Sequence, residues 1–193
     1  MKHQVPFYSQ TWDLDKWETL GFKDREEASY WQESCCGILC LKMIVDSFHI
    51  RDKKDLLPSV KELIGIGLEM DAYSHKGGWS HTGLASFIRR FGYSAVAKKI
   101  NIIQIKEELD SGRLVMASVK WGFTGKKSLK ERILFRKYGG HLVVVLGYEM
   151  ENERISGVYV HHTSDYKGEE WQNELIPIKR FLKSFTGRGV IVG

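Results

Sequence analysis

The sequence has little of what stabilises small secreted domains, and it has no long apolar run. Its 193 residues include three cysteines and three prolines, and an odd number of cysteines within six positions does not form a disulfide framework. The longest apolar run, residues 142–146, is far shorter than the roughly 18–20 residues of a transmembrane helix. The first six residues lack the apolar core of a secretory signal. These features predict a cytoplasmic protein with reduced thiols and no membrane partner.

Positive charge exceeds negative charge only moderately. The net charge is +5, with 27% charged and 42% hydrophobic residues, which indicates an ordinary globular chain. Basic residues gather at 98–99 and 125–137, but a solvated surface accounts for such clusters, so nucleic-acid binding is disfavoured. The sequence contains no phosphate-binding glycine loop, dinucleotide fingerprint or serine nucleophile elbow. No cofactor is therefore predicted.

The order of the hydrophobic patterns predicts a single α+β domain over residues 1–193, helical over about 1–92 and sheet-forming over about 93–193. Apolar residues from Ile38 to Phe48 have helical spacing, which predicts a helix over 36–48 with Lys42 and Asp46 on its solvent face. The strand at 142–146 is apolar without alternation and should be central, covered on both faces. Further helices are predicted at 55–64, 83–91, 103–109 and 178–184, and further strands at 94–98, 114–120, 157–162 and 190–193.

Cys36 is the candidate nucleophile because it stands at the predicted start of a helix. A thiol in the first turn lies near the positive end of the helix dipole, which lowers its pKa. Ser34 or Cys35 is expected near the N-cap, where the Ser34 hydroxyl is able to accept a backbone N–H. Gly37 leaves room where a substrate carbonyl approaches and is a candidate substrate contact. Cys35 is the rival nucleophile, but adjacent helical residues point about 100° apart, so only one faces a given histidine. Cys40 is expected to be a small core residue.

His141 is the candidate general base because it follows two glycines at the entrance of the apolar strand. It is expected to form a thiolate–imidazolium pair with Cys36, and the preceding Gly140 is a candidate substrate contact. A third group should accept a hydrogen bond from the imidazole and fix its tautomer. Asp165 is the best-placed carboxylate, whereas His162 occupies the position where an orienting residue would stand.

A tetrahedral oxyanion needs donors besides the backbone N–H of Cys36, and a glutamine amide is a common choice. Gln10 and Gln32 both precede the cysteine, and the residues alone leave both open. Trp79 is a candidate substrate contact, although large aromatic residues more often belong to a core. The cysteines and histidines lack the paired two-residue spacing of zinc sites. No metal site is therefore predicted.

These motifs, taken in order, resemble the C39-like cysteine peptidase family. The resemblance rests on the segments 5–10, 36–44 and 139–147, with Trp31 between the first two, and it extends to the terminal run 187–192. That family is similar in plan to papain and includes domains that cut double-glycine leaders from exported peptides. The resemblance implies a papain-like fold, with Cys36 as nucleophile, His141 as base and Gln10, in preference to Gln32, as the oxyanion donor.

The chain departs from the family pattern at the fourth catalytic position. The family has an aspartate or asparagine at the end of the strand that follows the histidine. Here His162 takes that place, and Asp165 comes slightly later.

The resulting hypothesis is a cysteine peptidase or amide hydrolase that acts on a peptide or amide substrate through an acyl-enzyme. One alternative is a catalytically weak or inactive peptide-binding domain on the same fold, which the histidine at the fourth position motivates. The other is a thiol acyltransferase, which passes the acyl group to an amine instead of water. The sequence does not define the oligomeric state.

Overall fold

The fold is taken from a computed structural model that describes residues 1–120, 140–163 and 170–193. The predicted site residue Asp165 and the basic stretch at 125–137 lie outside the described residues. The helices are α1 (Arg25–Ser34), α2 (Cys36–Arg51), α3 (Val60–Glu69), α4 (His81–Arg89), α5 (Ile102–Asp110) and α6 (Ile178–Ser184). The strands are β1 (Tyr73–Ser74), β2 (Gly78–Trp79), β3 (Ala95–Lys99), β4 (Leu114–Val119), β5 (His141–Glu151), β6 (Arg154–His162), β7 (Trp171–Pro177) and β8 (Phe185–Val192).

Six of these strands form one antiparallel sheet in the order β3-β8-β4-β5-β6-β7. The predicted α+β class is confirmed, and the apolar strand β5 is central and buried along residues 142–148. Helix α2 packs on β4 and β5, α4 packs on β3 and β8, and the two helices contact each other. They therefore cover the same face of the sheet. No helix of the described part is both long and apolar enough to cross a membrane.

The middle of α2 differs from its prediction, because Lys42 and Asp46 are buried rather than solvated. Lys42 Nζ lies 2.9 Å from Asp46 Oδ2 and donates to the Leu57 carbonyl at 2.8 Å. The Leu57 N–H and the Tyr8 hydroxyl each donate to Asp46 at 2.7 Å. The wet-face prediction was wrong because the α2–α3 loop and the N-terminal segment cover this side of the helix. We call these four residues the α2 clamp.

Local capping decides where two helices begin. Helix α3 starts at Val60 rather than at residue 55, because Ser59 and Glu62 form a reciprocal capping box. Helix α2 follows α1 directly, and its N-cap is Cys35, which makes no side-chain capping bond. Of the two residues expected near the N-cap, Cys35 is the N-cap, and Ser34 is the last residue of α1 and makes no capping bond to α2.

The edge strand β7 was not predicted. Its sequence alternates polar and apolar residues weakly, and Asn173 has a φ of +55°. It is held partly by His161, whose Nδ1 accepts from the Asn173 N–H at 3.0 Å while Nε2 donates to the Val5 carbonyl at 3.0 Å. His161 thereby joins β6, β7 and the N-terminal segment, and it is a fully satisfied core histidine.

Candidate active site

The start of α2 presents the Cys36 thiol beside uncapped backbone donors. Because the Cys35 N-cap supplies no side-chain bond, the first N–H groups of the helix have no side-chain partner there. Cys36 is partly exposed, whereas Cys35 and Cys40 are buried. Of the three thiols, only that of Cys36 is therefore placed to meet a substrate, and Cys40 is the core residue that its spacing predicted.

The Trp79 indole packs against the first turn of α2, at Gly37. A Cβ on Gly37 would lie 2.7 Å from the indole Cγ, and one on Gly67 would lie 2.6 Å from its Cζ3. The indole N–H donates to the Ser34 carbonyl at 2.7 Å, and Trp79 is only 8% exposed. The glycine next to the cysteine thus admits a packing tryptophan. Substrate contact by Gly37 and Trp79 stays a prediction, and burial leaves the indole little surface for it.

His141 lies at the start of β5, directly opposite Val119 of β4. The backbone N–H of the next residue, Leu142, lies close enough to the Cys36 thiol to lower its pKa, so the thiol lies near the strand that carries the histidine. His141 Nε2 is buried and has no hydrogen-bond partner within the described ranges. Gly140 is exposed just before the histidine. The structure therefore brings the predicted nucleophile and base to one end of the sheet.

Burial shifts the pKa of both Cys36 and His141. It raises the pKa of the Cys36 thiol, against the opposing effect of the N–H groups of Leu142, Gly37 and Cys36 itself. It also lowers the pKa of His141 well below its usual range, and the charge of His162 lowers it further. Both directions favour the uncharged forms. Desolvation of the two groups therefore opposes the predicted thiolate–imidazolium pair, whereas the backbone N–H groups near the sulfur favour the thiolate.

His162 occupies the space beside His141. Because Val144 pairs with His161 across β5 and β6, His162 and His141 are diagonal neighbours on one face of the sheet. Their ring centroids are 4.7 Å apart with 45° between the planes, and Trp171 covers the other side of His162 at 4.8 Å. The predicted fourth position is thus filled by an imidazole held between two rings.

Gln10 is buried between the two parts of the chain that carry the site. Its side-chain N–H donates to the Gln32 carbonyl at 2.6 Å, and its side-chain oxygen accepts from the Thr163 hydroxyl at 2.7 Å. Gln32 stands one turn before Cys36, and Thr163 follows His162. The amide has two hydrogens and this network engages one of them. The Gln32 side chain instead donates to the Trp12 carbonyl at 2.8 Å.

Two residues that position Gln10 were missed by sequence reasoning. Thr163 is fully buried and its carbonyl also accepts from the Gln10 backbone N–H at 3.3 Å. Glu170 accepts from the backbone N–H groups of Gln10 and Thr11 at 2.9 and 3.0 Å. Thr163 could have been suspected as the residue after the predicted strand. Glu170 carries no comparable signal, because its contact spans 160 residues of chain.

An aromatic cluster near the Cys36 thiol consists of Tyr30 of α1, Tyr73 of β1 and His75. The Tyr30 and Tyr73 hydroxyls lie 2.5 Å apart, and Tyr30 also bonds His75 Nδ1 at 2.7 Å. Burial, followed by the Tyr30 hydrogen bond, raises the pKa of Tyr73 to about 12, and negative charge on Cys36 adds to this effect. Tyr73 therefore lies near the Cys36 thiol.

No protein-family model and no curated protein matches this sequence, but solved structures do. One described as a C39-like peptidase from Bacillus anthracis has a TM-score of 0.61 at 15% identity over 98% of this chain and 94% of its own. A double glycine motif protease from an AMS/PCAT transporter, in complex with a leader peptide, has a TM-score of 0.54 at 16% identity over 99% and 92%. The peptidase domain of Streptococcus ComA has a TM-score of 0.51 at 13% identity over 82% and 90%.

The class that these findings define is a C39-like, papain-type α+β fold. The fold expected from the sequence motifs is thereby confirmed. At 13–16% identity the likeness shows the fold of peptidase domains, and the chemistry of this chain must be argued from its own residues.

Proposed function

We propose that this chain is a cysteine peptidase that cleaves an amide bond through Cys36 and His141. One observation carries the proposal: the Cys36 thiol lies against the Leu142 N–H, next to a histidine whose Nε2 has no described partner. Peptides are the first substrate class to consider, because a structure with the same fold is a protease in complex with a leader peptide.

The proposed reaction starts from the neutral pair. His141 removes the proton from Cys36 as the sulfur attacks the substrate carbonyl carbon. The carbon–nitrogen bond then breaks, His141 passes its proton to the departing amine, and a thioester remains on Cys36. Water, deprotonated by His141, hydrolyses the thioester and releases the acid and the thiol. We assign the Cys36 N–H and the free amide hydrogen of Gln10 as donors to the oxyanion.

The test is cleavage of a peptide pool that includes double-glycine sequences, followed by mass spectrometry. We expect cleavage by the wild type and by Cys40→Ala, whose thiol is buried one turn further along α2. We expect none with Cys36→Ser or His141→Ala. Cleavage that survives Cys36→Ser would disprove the assigned nucleophile.

A second candidate, a peptide-binding domain without turnover, is favoured by one observation. His162 stands where an orienting carboxylate or amide would stand, and its charge opposes protonation of His141. This candidate predicts that peptides from the same pool bind and are recovered intact, with no thioester on Cys36. Detection of an acyl-enzyme by mass spectrometry excludes it.

Acyl transfer to an amine shares the first half of the proposed reaction. It is separated from hydrolysis by adding a primary amine such as glycine amide to the acyl-enzyme. Release that needs the amine identifies a transferase, and release in water alone identifies a hydrolase.

A further inference from the structure

A basic cavity of about 240 Å³ lies between the start of α4 and the strands β3 and β8. Lys99 of β3 is directly opposite Arg188 of β8, and like charges in that arrangement destabilise a sheet. Neither residue forms an ion pair with any described residue. Lys98 also lines the cavity but differs, because its ammonium lies 3.1 Å from Glu108 on α5. The cavity therefore collects positive charge that the described protein leaves unbalanced.

His81 adds an unused polar atom to the same cavity. It is the first residue of α4, and its Nε2 is buried without a hydrogen-bond partner in the described part of the chain. The charge of Arg188 contributes to lowering the pKa of His81, after burial, which places the two side chains close together. A buried nitrogen without a partner costs free energy until a ligand satisfies it.

Size and charge together define the kind of ligand. A volume of about 240 Å³ corresponds to about eight water molecules at roughly 30 Å³ each, which suits a carboxylate or phosphate with part of its attached chain. Glu108 on α5, which pairs with Lys98, also pairs with Arg113 at 2.5 Å, and none of the described residues that line the cavity is acidic. The cavity thus favours an external anion.

The strand register places this cavity level with the candidate active site. Val119 pairs with His141, Ala117 pairs with Gly189, and Lys99 pairs with Arg188. Arg188 therefore lies near the level of His141, beside the bulge between Ala117 and Val119, and two strands away, which is roughly 10 Å. Its side chain and that of Lys99 lie on the face that α4 covers, whereas Gly189 shares the face of Ala117 and His141. An extended peptide spans that distance with about three residues.

The cavity and the thiol also share one face of the sheet. Helices α2 and α4 contact each other above the strands, and they carry Cys36 and His81 respectively. Trp79, which packs on Gly37 beside the nucleophile, is only two residues before His81. A peptide bound across the strand ends at Cys36 can thus continue into the cavity.

We propose that Arg188, Lys99 and His81 form an anion subsite for the side-chain carboxylate of an acidic residue in the peptide substrate. That residue lies about three positions from the bond that is cleaved. The inference deepens the proposed function and depends on it for the identity of the ligand. The guanidinium and ammonium supply charge-assisted hydrogen bonds, and His81 Nε2 supplies a further donor.

The first test measures anion binding without any need for turnover. Imidazole resonances of His81 are followed by NMR while N-acetylglutamate amide is added, with N-acetylglutamine amide as the neutral match and inorganic phosphate as the competing anion. We expect saturable shifts with the glutamate probe and none with its neutral match, and the glutamate shifts should be about tenfold weaker in Arg188→Gln and Lys99→Gln. The matched control Lys98→Gln should stay within about twofold, because that charge is already paired with Glu108.

Equal shifts with both amides, no shift at all, or binding of phosphate alone would each overturn the carboxylate subsite. The second test exchanges Glu for Gln at each position of a cleaved peptide. We expect about a tenfold preference in kcat/KM for Glu near the third position from the scissile bond, lost in Arg188→Gln and kept in Lys98→Gln. Cleavage without this preference contradicts the subsite alone. Absence of any cleavage contradicts the proposed function, and the NMR titration then decides whether the cavity binds carboxylates.

Discussion

Helix α2 carries two polar clusters that use their hydrogen bonds in opposite ways. In the α2 clamp, the Asp46 carboxylate accepts from Lys42, Leu57 and Tyr8 at 2.7–2.9 Å. At the start of the same helix, the Cys36 thiol meets backbone N–H groups, while His141 Nε2 has no partner among the described residues. The α2 clamp makes its hydrogen bonds within the protein, whereas the cluster at the start of the helix leaves His141 Nε2 without a described partner.

Stabilising and reactive polar groups of this fold differ in whether all their hydrogen bonds are made within the protein. A buried group with all its bonds made within the protein contributes to stability and specificity, whereas an unsatisfied one costs stability. That cost is tolerated where it prepares a site for substrate. By this criterion His161 belongs with the clamp, and His81 belongs with His141.

Removing the thiol should have the largest effect on activity and almost none on folding. Cys36→Ala is expected to reduce kcat/KM by at least about 10³-fold, because the covalent step is lost. Its unfolding midpoint in urea should stay close to that of the wild type. In Cys40→Ala, which leaves a void in the core, we expect the reverse pattern: lower stability and near-normal kcat. Activity and stability that fall together in Cys36→Ala would contradict the separation.

Breaking the α2 clamp should instead act on folding. Asp46→Ala leaves Lys42 buried without its partner, and such changes lower the free energy of unfolding by about 3–5 kcal/mol. Urea denaturation measures the loss. Asp52→Ala, at the exposed end of the same helix, is the matched control and should change stability far less. Equal losses in the two variants would show that the clamp is no more stabilising than a surface pair.

Gln10 combines the properties of the two clusters. Its side chain makes two hydrogen bonds within the protein, and its remaining amide hydrogen is assigned to the oxyanion. Gln10→Ala is expected to lower kcat by about 10²–10³-fold, and a thermal melt should show whether folding also suffers. Gln32→Ala removes only the bond to Trp12 and should leave kcat within a few-fold. The opposite ranking would transfer the oxyanion role to Gln32, which the residues alone had left open.

The sequence predicted the elements whose patterns are local. Helix α6 matches its predicted range of 178–184, and the unbroken apolar run at 142–146 is the centre of the sheet. Prediction failed where distant segments decide the outcome. Lys42 and Asp46 were expected in solvent because nothing in their spacing announces that Tyr8 and Leu57 cover them. Strand β7 was missed because its pairing with β6 compensates for a weak pattern.

The candidate site shows the same division. The motifs around Cys36 and His141 indicated which two residues would meet, and the structure brings them to one end of the sheet. The directions in which burial shifts the pKa values of Cys36 and His141 could not be predicted, because they depend on burial by the assembled fold. The position of the His162 ring between those of His141 and Trp171 depends on strand register and could not be predicted either.

Replacing His162 should bring the site closer to the family pattern. His162→Asn offers the imidazole an amide acceptor and removes the charge that lowers the pKa of His141. We expect kcat/KM to rise about tenfold. Because the base acts in its neutral form, a higher pKa of His141 moves the acidic limb of the pH–rate profile to higher pH. A profile that does not move would show that His162 has no electrostatic effect on the base.

The smallest effect is expected from the satisfied histidine. Burial lowers the pKa of His161, so the unfolded chain binds the proton more tightly than the folded one. Its contribution to stability is therefore complete above a pH of about 6.5 and is lost as the pH falls towards the lowered folded value. Urea melts between pH 5 and 8 should show a shallower slope in His161→Gln than in the wild type.

The central claim is that His141 activates Cys36, and alkylation tests it most directly. The rate of iodoacetamide labelling at each cysteine is measured against pH by mass spectrometry, in the wild type and in His141→Ala. Exposure alone already favours Cys36 over Cys35 and Cys40, so the decisive quantity is the change at Cys36 between the two proteins. We expect labelling of Cys36 to be rapid near neutral pH in the wild type. In His141→Ala the rate at Cys36 should fall strongly and recover only at alkaline pH. Equal rates in both proteins would contradict it.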